Sequence, residues 1–158
     1  MINIPLVEIL GRGIPEGFLY TFGSYVFSKT AINKKIYLLS SILMAMALIL
    51  TKCLPIHYGV HTILNIFMLI VINTNINKID IIKSIKAVIS IITFMLIGEG
   101  INMFIVEHIL DVDIKYIFNN PVLKTIYGIP SLLIVILITG LYYTRLLKRK
   151  ELKYVEYR

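Results

Sequence analysis

The sequence predicts an all-α integral membrane bundle of five transmembrane helices. Of its 158 residues, 58% are hydrophobic and only 16% are charged, against about 25% charged in an average soluble domain. Mean hydropathy is +0.84, more apolar surface than a soluble domain of this length can hide. The apolar residues also gather in five stretches close to the roughly 20 residues that cross a bilayer as a helix.

The first span, Ile4 to Phe27, is the least ordinary. Glu8, Arg12 and Glu16 interrupt it, together with Gly11, Gly13, Gly17 and Pro15. Pro15 removes the backbone bond to Gly11, so a kink or short unwound turn is expected near Gly11–Gly17. On a continuous helix Glu8, Arg12 and Glu16, at i, i+4 and i+8, share one face. A charge at mid-bilayer costs at least ~2.5–3.5 kcal/mol, so this span has to be enclosed by the others. Gly13 and Gly17 form a small-xxx-small pair, read as close helix packing or as backbone open to a ligand.

A basic loop, Lys29 to Lys35, leads to the second span, Ile36 to Leu54, with Tyr37 at its interface. A turn punctuated by Pro55 and Gly59 opens the short third span, Tyr58 to Asn73. Thr74 to Lys86 is polar and basic, and Ile79, Ile81, Ile82 and Ile85 fit an amphipathic turn on the membrane surface. The fourth span, Ala87 to Val106, carries Glu99 between Gly98 and Gly100. The connection Glu107 to Lys124 is the acidic one, with a short interfacial helix expected over Ile109–Phe118. The fifth span, Thr125 to Tyr143, has Pro130 in its first turns. Residues 1–144 make one transmembrane domain, and 145–158 a short basic tail.

The Lys/Arg bias puts the Lys29–Lys35 loop, the Lys78–Lys86 loop and the tail on the cytoplasmic side. Five spans then leave the N-terminus outside, in the cell membrane. The first ten residues carry Glu8 and no Lys or Arg, unlike the start of a secretory signal peptide. The net charge of +7 reports topology, and no nucleic-acid partner is expected. The bilayer is the expected partner, and oligomers are compatible with the pattern. The single cysteine, Cys53, excludes an internal disulfide.

Helical rise puts Arg12 about 13 Å and Glu99 about 10 Å below the outer surface, with Glu16 about 6 Å deeper than Arg12. Arg12 is therefore expected to pair with Glu99, or to bridge Glu99 and Glu8 or Glu16, since a guanidinium fork suits two carboxylates. Glu8, Arg12, Glu16 and Glu99 sum to −2 if all are ionised, which calls for a protonated carboxylate, an added cation such as His61, or water. The cluster reads as an outward-facing ligand pocket or as polar glue between helices. Cys53, His57 and His61 also stand at i, i+4 and i+8, but Pro55 interrupts the helix and no further ligand is marked, so no metal, cofactor or catalytic residue is assigned. Pro15, His57 and His61 are kept as turn or pocket residues.

At Leu54-Pro55-Ile56-His57-Tyr58-Gly59-Val60-His61-Thr62-Ile63 the chain resembles the multi-span N-terminal sensor module of GHKL-type histidine kinases, which include peptide quorum-sensing receptors. A glutamate-bearing first span, a lone later glutamate such as Glu99, and Gly128-Ile129-Pro130 opening a late span are similar. In that family a dimerising helical pair, a phospho-accepting histidine and an ATP-binding domain follow. Here the tail ends at Arg158, no Gly-rich nucleotide loop is present, and His57, His61 and His108 are the only histidines. The resemblance implies signal reception, with a small peptide ligand or a separate sensor kinase as partner, in a bacterial non-enzymatic protein. The alternatives are a component of a small transporter or ion-coupled carrier, and an intramembrane enzyme using Cys53 and a histidine.

Overall fold

Pro15 cannot bond back to the carbonyl four residues earlier. In the computed structural model, which describes residues 6–54, 58–112, 117 and 119–154, the chain answers with a wider turn. Helix α1 (Leu6–Glu8) enters a π-helical turn (Ile9–Gly13), and α2 (Ile14–Phe27) follows with Pro15 in its first turn. The Ile14 N–H donates to the Ile9 carbonyl, the five-residue step of a π turn. The expected kink or unwinding over Gly11–Gly17 is thus a local widening at Ile9–Gly13, and Gly13 and Ile14 both keep right-handed helical dihedrals.

Four further helices complete the bundle: α3 (Lys34–Cys53), α4 (Tyr58–Asn75), α5 (Ile81–His108) and α6 (Pro121–Lys148). The side chains of Asn33, Asp80 and Asn120 cap α3, α5 and α6 by accepting from backbone N–H groups two residues on. Among the described residues all regular structure is helical, apart from one isolated parallel bridge between Thr30 and Lys153. Helices α3, α5 and α6 are long and apolar enough to cross a membrane, and α4 holds a shorter apolar run, Val60–Asn75.

Helices α5 and α6 outrun their apolar stretches. Each has 28 residues, about 42 Å at helical rise, where a hydrocarbon core is about 30 Å. The Asp80 cap starts α5 at Ile81, so Ile81, Ile82 and Ile85 form its exposed first turns while Ile79 is buried before it. The amphipathic turn expected there is part of the long helix. The interfacial helix expected over Ile109–Phe118 falls largely outside the described residues.

Helix α2 is the hub, in contact with α3, α4, α5 and α6. A Cβ at Gly17 would sit 2.7 Å from the backbone N and Cα of Ala45; only glycine allows α2 and α3 to approach this closely. Beyond this crossing the core is filled by Leu19, Met44, Leu48, Leu69, Val88, Ile91, Met95 and Val135.

At the far end of α2, the buried Tyr25 hydroxyl donates to Asn77 Oδ1 at 2.9 Å, and Asn77 donates to Asn73 at 3.0 Å. The tail folds back onto the loop after α2. Lys153 exchanges backbone bonds with Lys29 and Ala31, both at 2.8 Å, and Lys29 Nζ reaches Glu151 at 2.6 Å. The basic loop after α2, the turn around Lys78 and the tail therefore share one end of the bundle.

The Lys29 ammonium holds the Glu151 carboxyl below the usual glutamate range, and Glu151 raises Lys29 in return. A depressed carboxyl stabilises the docked tail above its free value of 4.5 and loses that contribution as pH falls through the docked value. The raised lysine contributes fully below 10.5 and loses it above. Amide-exchange protection of Ala31 and Lys153 should hold near neutrality, fall at pH 3, and weaken in high salt; protection unchanged at pH 3 would show that the pair does not hold the tail. For the α2–α3 crossing, Gly17→Val should destabilise the bundle by about 1–3 kcal/mol in a detergent melt. Gly100→Ala, whose Cβ would meet nothing within 4 Å, should cost nothing.

Candidate functional site

The charges of the first rod (α1, the π turn and α2) open onto a cavity of about 330 Å³ at the opposite end of the bundle from the tail. Glu8, Arg12, Glu16 and Glu99 all line it. Arg12, in the π turn, donates from its terminal nitrogen to Glu99 on α5, and its Nε lies 3.9 Å from Glu16. The guanidinium lies over Gly128 of α6, where a Cβ would come within 3.0 Å of it.

Two residues that sequence reasoning passed over complete the cluster. Lys52, in the last turn of α3, comes within 3.7 Å of Glu16. Lys124, in the first turn of α6, binds Glu8 at 2.9 Å. Three carboxylates thus face three cations, and the deficit of two that the sequence presented is filled. His61, the cation suggested by the sequence, is a half-buried residue of α4 and does not line the cavity. The signal for the lysines was position, since both stand at span ends on the side of the first rod's charges.

Glu8, Arg12 and Glu16 all face the cavity, although the helix between them is not a continuous α-helix. The π turn holds one extra residue, which turns everything upstream by about 100° relative to an uninterrupted helix. Glu8 thereby meets Lys124 on α6, while Arg12 and Glu16 keep their i, i+4 relation.

The cavity wall is mixed. Met103, Val106 and Ile117 supply apolar surface, and Asn102 a polar edge. The Asn102 amide donates to the Tyr127 carbonyl at 2.6 Å, beside the Ile126 carbonyl that Pro130, lacking an N–H, leaves without its helical partner. Pro130 thus comes with a side-chain bond that ties α5 to α6 under the charges. Pro15 is exposed and does not line the cavity, and His57 lies outside the described residues. Cys53 is exposed at the end of α3, on a different helix from His61. Among the described residues no three His, Cys, Asp or Glu side chains gather as a metal site.

Fold and site together define an all-helical bundle with helices able to cross a membrane and a charge-compensated cavity at one end. No family model, curated protein or solved structure matches this chain.

The side chains of Arg12 and Glu16 are only 19% and 12% exposed, so removing the cation strands carboxylates in a poorly hydrated site. Arg12→Ala should cost about 2 kcal/mol in a detergent melt, less than the 3–5 kcal/mol of a fully enclosed pair because Glu99 retains some exposure. In a double-mutant cycle, Glu99→Ala should recover part of that loss. Strictly additive effects would show that the two side chains do not interact in the folded protein.

Proposed function

We propose that this chain is a multi-pass membrane protein that receives a signal, or regulates a partner, through the charged cavity. In this reading the first rod and α3 to α6 each cross the bilayer, the tail end is cytoplasmic and the cavity faces outward. The single observation that carries it is the cavity itself: about 330 Å³ bounded by six opposed charges and an apolar wall. Polar glue alone does not require an open space of that size. The Lys/Arg distribution supports the orientation, and the Leu54–Ile63 resemblance to sensor modules supports the role.

A route from cavity to tail is built from elements in contact. The first rod carries Glu8, Arg12 and Glu16 at one end, and its last residues lead into the loop that holds the tail. Helix α6 carries Lys124 and Gly128 at the cavity and continues into that tail. A ligand that separates Glu8 from Lys124 would change how the first rod sits on α6, and the docked tail would register it. The partner in this reading is a separate sensor kinase, and the ligand is a small polar molecule or peptide.

A second reading, a transporter component, draws on Glu16, just after the interruption of the first rod, facing Glu99 on the continuous α5, since carriers hold ions beside broken helices. Cation-dependent stabilisation would favour it. Catalysis has less support, since Cys53 and His61 are on different helices.

The test is a mild-detergent pull-down from native membranes through a C-terminal tag, comparing wild type with Lys52→Gln. Lys52 is the loosest cation of the cluster, 3.7 Å from its carboxylate, so its loss should spare the fold. A kinase or small peptide recovered with wild type and lost with Lys52→Gln is the expected result. Transporter subunits would support the second reading, and self-association alone would leave the charges as helix glue.

A further inference from the structure

Near the tail end lies a second concave feature, unrelated to the charge cluster. Phe27 at the end of α2 stacks on Phe94 of α5, centroids 5.3 Å apart, and on Tyr142 of α6 at 5.8 Å. The three rings form the floor of a groove of about 400 Å³ between these helices. Ile138 and Leu141 form its wall, Leu141 with 65% of its surface exposed. Arg145, one helical turn beyond Leu141 and exposed, stands at the rim. The nearby carboxylate, Glu151, is engaged by Lys29 at 2.6 Å and approached by Arg149 at 3.8 Å. Among the described residues no carboxylate pairs with Arg145.

We propose that this groove seats one anionic phospholipid, its acyl chain along Ile138, Leu141 and the ring stack, its phosphate on the Arg145 guanidinium. The order of chemistry along α6, apolar and aromatic and then a single cation, matches the order along the lipid. Aromatic rings and a terminal arginine are suited to the boundary between hydrocarbon and headgroup. The planar fork of arginine binds phosphate through two parallel bonds. Preference for an anionic over a zwitterionic lipid follows from the surroundings: Lys148, Arg149 and Lys150 stand just beyond Arg145 and disfavour a choline or ethanolamine cation. The site rests on the membrane-spanning arrangement proposed above, but not on any role for the charged cavity.

The experiment is native mass spectrometry of the full chain in mild detergent with equimolar phosphatidylglycerol and phosphatidylcholine. Wild type should retain one phosphatidylglycerol in preference to phosphatidylcholine. Arg145→Gln should cut that preference about fivefold, the effect of one basic side chain at an anionic surface. Arg145→Lys should keep most of it, and Lys150→Gln should lower it less than Arg145→Gln, since Arg145 alone of these cations lines the groove. Equal retention of both lipids by wild type, or an unchanged preference in Arg145→Gln, would overturn the site. Labelling of Cys53 by a membrane-impermeant maleimide on intact cells tests the spanning arrangement separately: if Cys53 is reached only after lysis, the proposed orientation fails whatever the lipid result.

Discussion

The rest of this structure depends on keeping charge out of water without leaving it alone. Arg12 lies between Glu16 and Glu99 because an isolated guanidinium or carboxylate in an apolar bundle costs more than any one helix contact returns. Each resulting pair joins elements distant in sequence. Glu8 to Lys124 ties α1 to α6, Arg12 to Glu99 ties the π turn to α5, and Lys52 to Glu16 ties α3 to α2. Of the long helices, α4 alone stands outside this set. The cluster is therefore both the polar wall of a cavity and the clamp that closes that end of the bundle.

The geometry around the clamp is fitted to it. Arg12 needs a neighbour with no side chain, and Gly128 is there. The crossing of α2 and α3 at Gly17 and Ala45 brings Lys52, two turns further along α3, within reach of Glu16. Pro130 weakens α6 beneath the cavity, and Asn102 bonds to the neighbouring carbonyl at that level. At the other end the chain is closed by ordinary means: a buried tyrosine–asparagine network and a tail pinned by backbone bonds and one exposed ion pair.

Much of this was legible in the sequence, and the misses have physical causes. The helical class follows from composition and apolar periodicity alone. The meeting of Arg12 with Glu99 follows from counting residues inward along two antiparallel rods, because helical rise converts sequence number to depth. The pairings of Lys52 and Lys124 are not legible, since a lysine at a helix end has a solvent alternative that a mid-span glutamate lacks. The pairing of Glu8 with Lys124 is not legible, because the i, i+4 rule presumes an unbroken α-helix and a π turn has no composition signature of its own. The early start of α5 escaped because hydropathy reports apolar length, whereas the Asp80 cap decides where a helix begins.

The π turn has a consequence for how the gene encoding this chain can vary in length. It stores one residue more than an α-helical turn requires. A deletion of one residue between Glu8 and Arg12 is therefore expected to relax the turn to α-helix while Glu8 still faces Lys124. A one-residue deletion within α2 beyond Glu16 has no such slack to draw on and would rotate the charge cluster against the packed remainder of the helix. The segment Ile9–Gly11 is thus the place in this rod where a length change is absorbed by the backbone and not passed on to the charges.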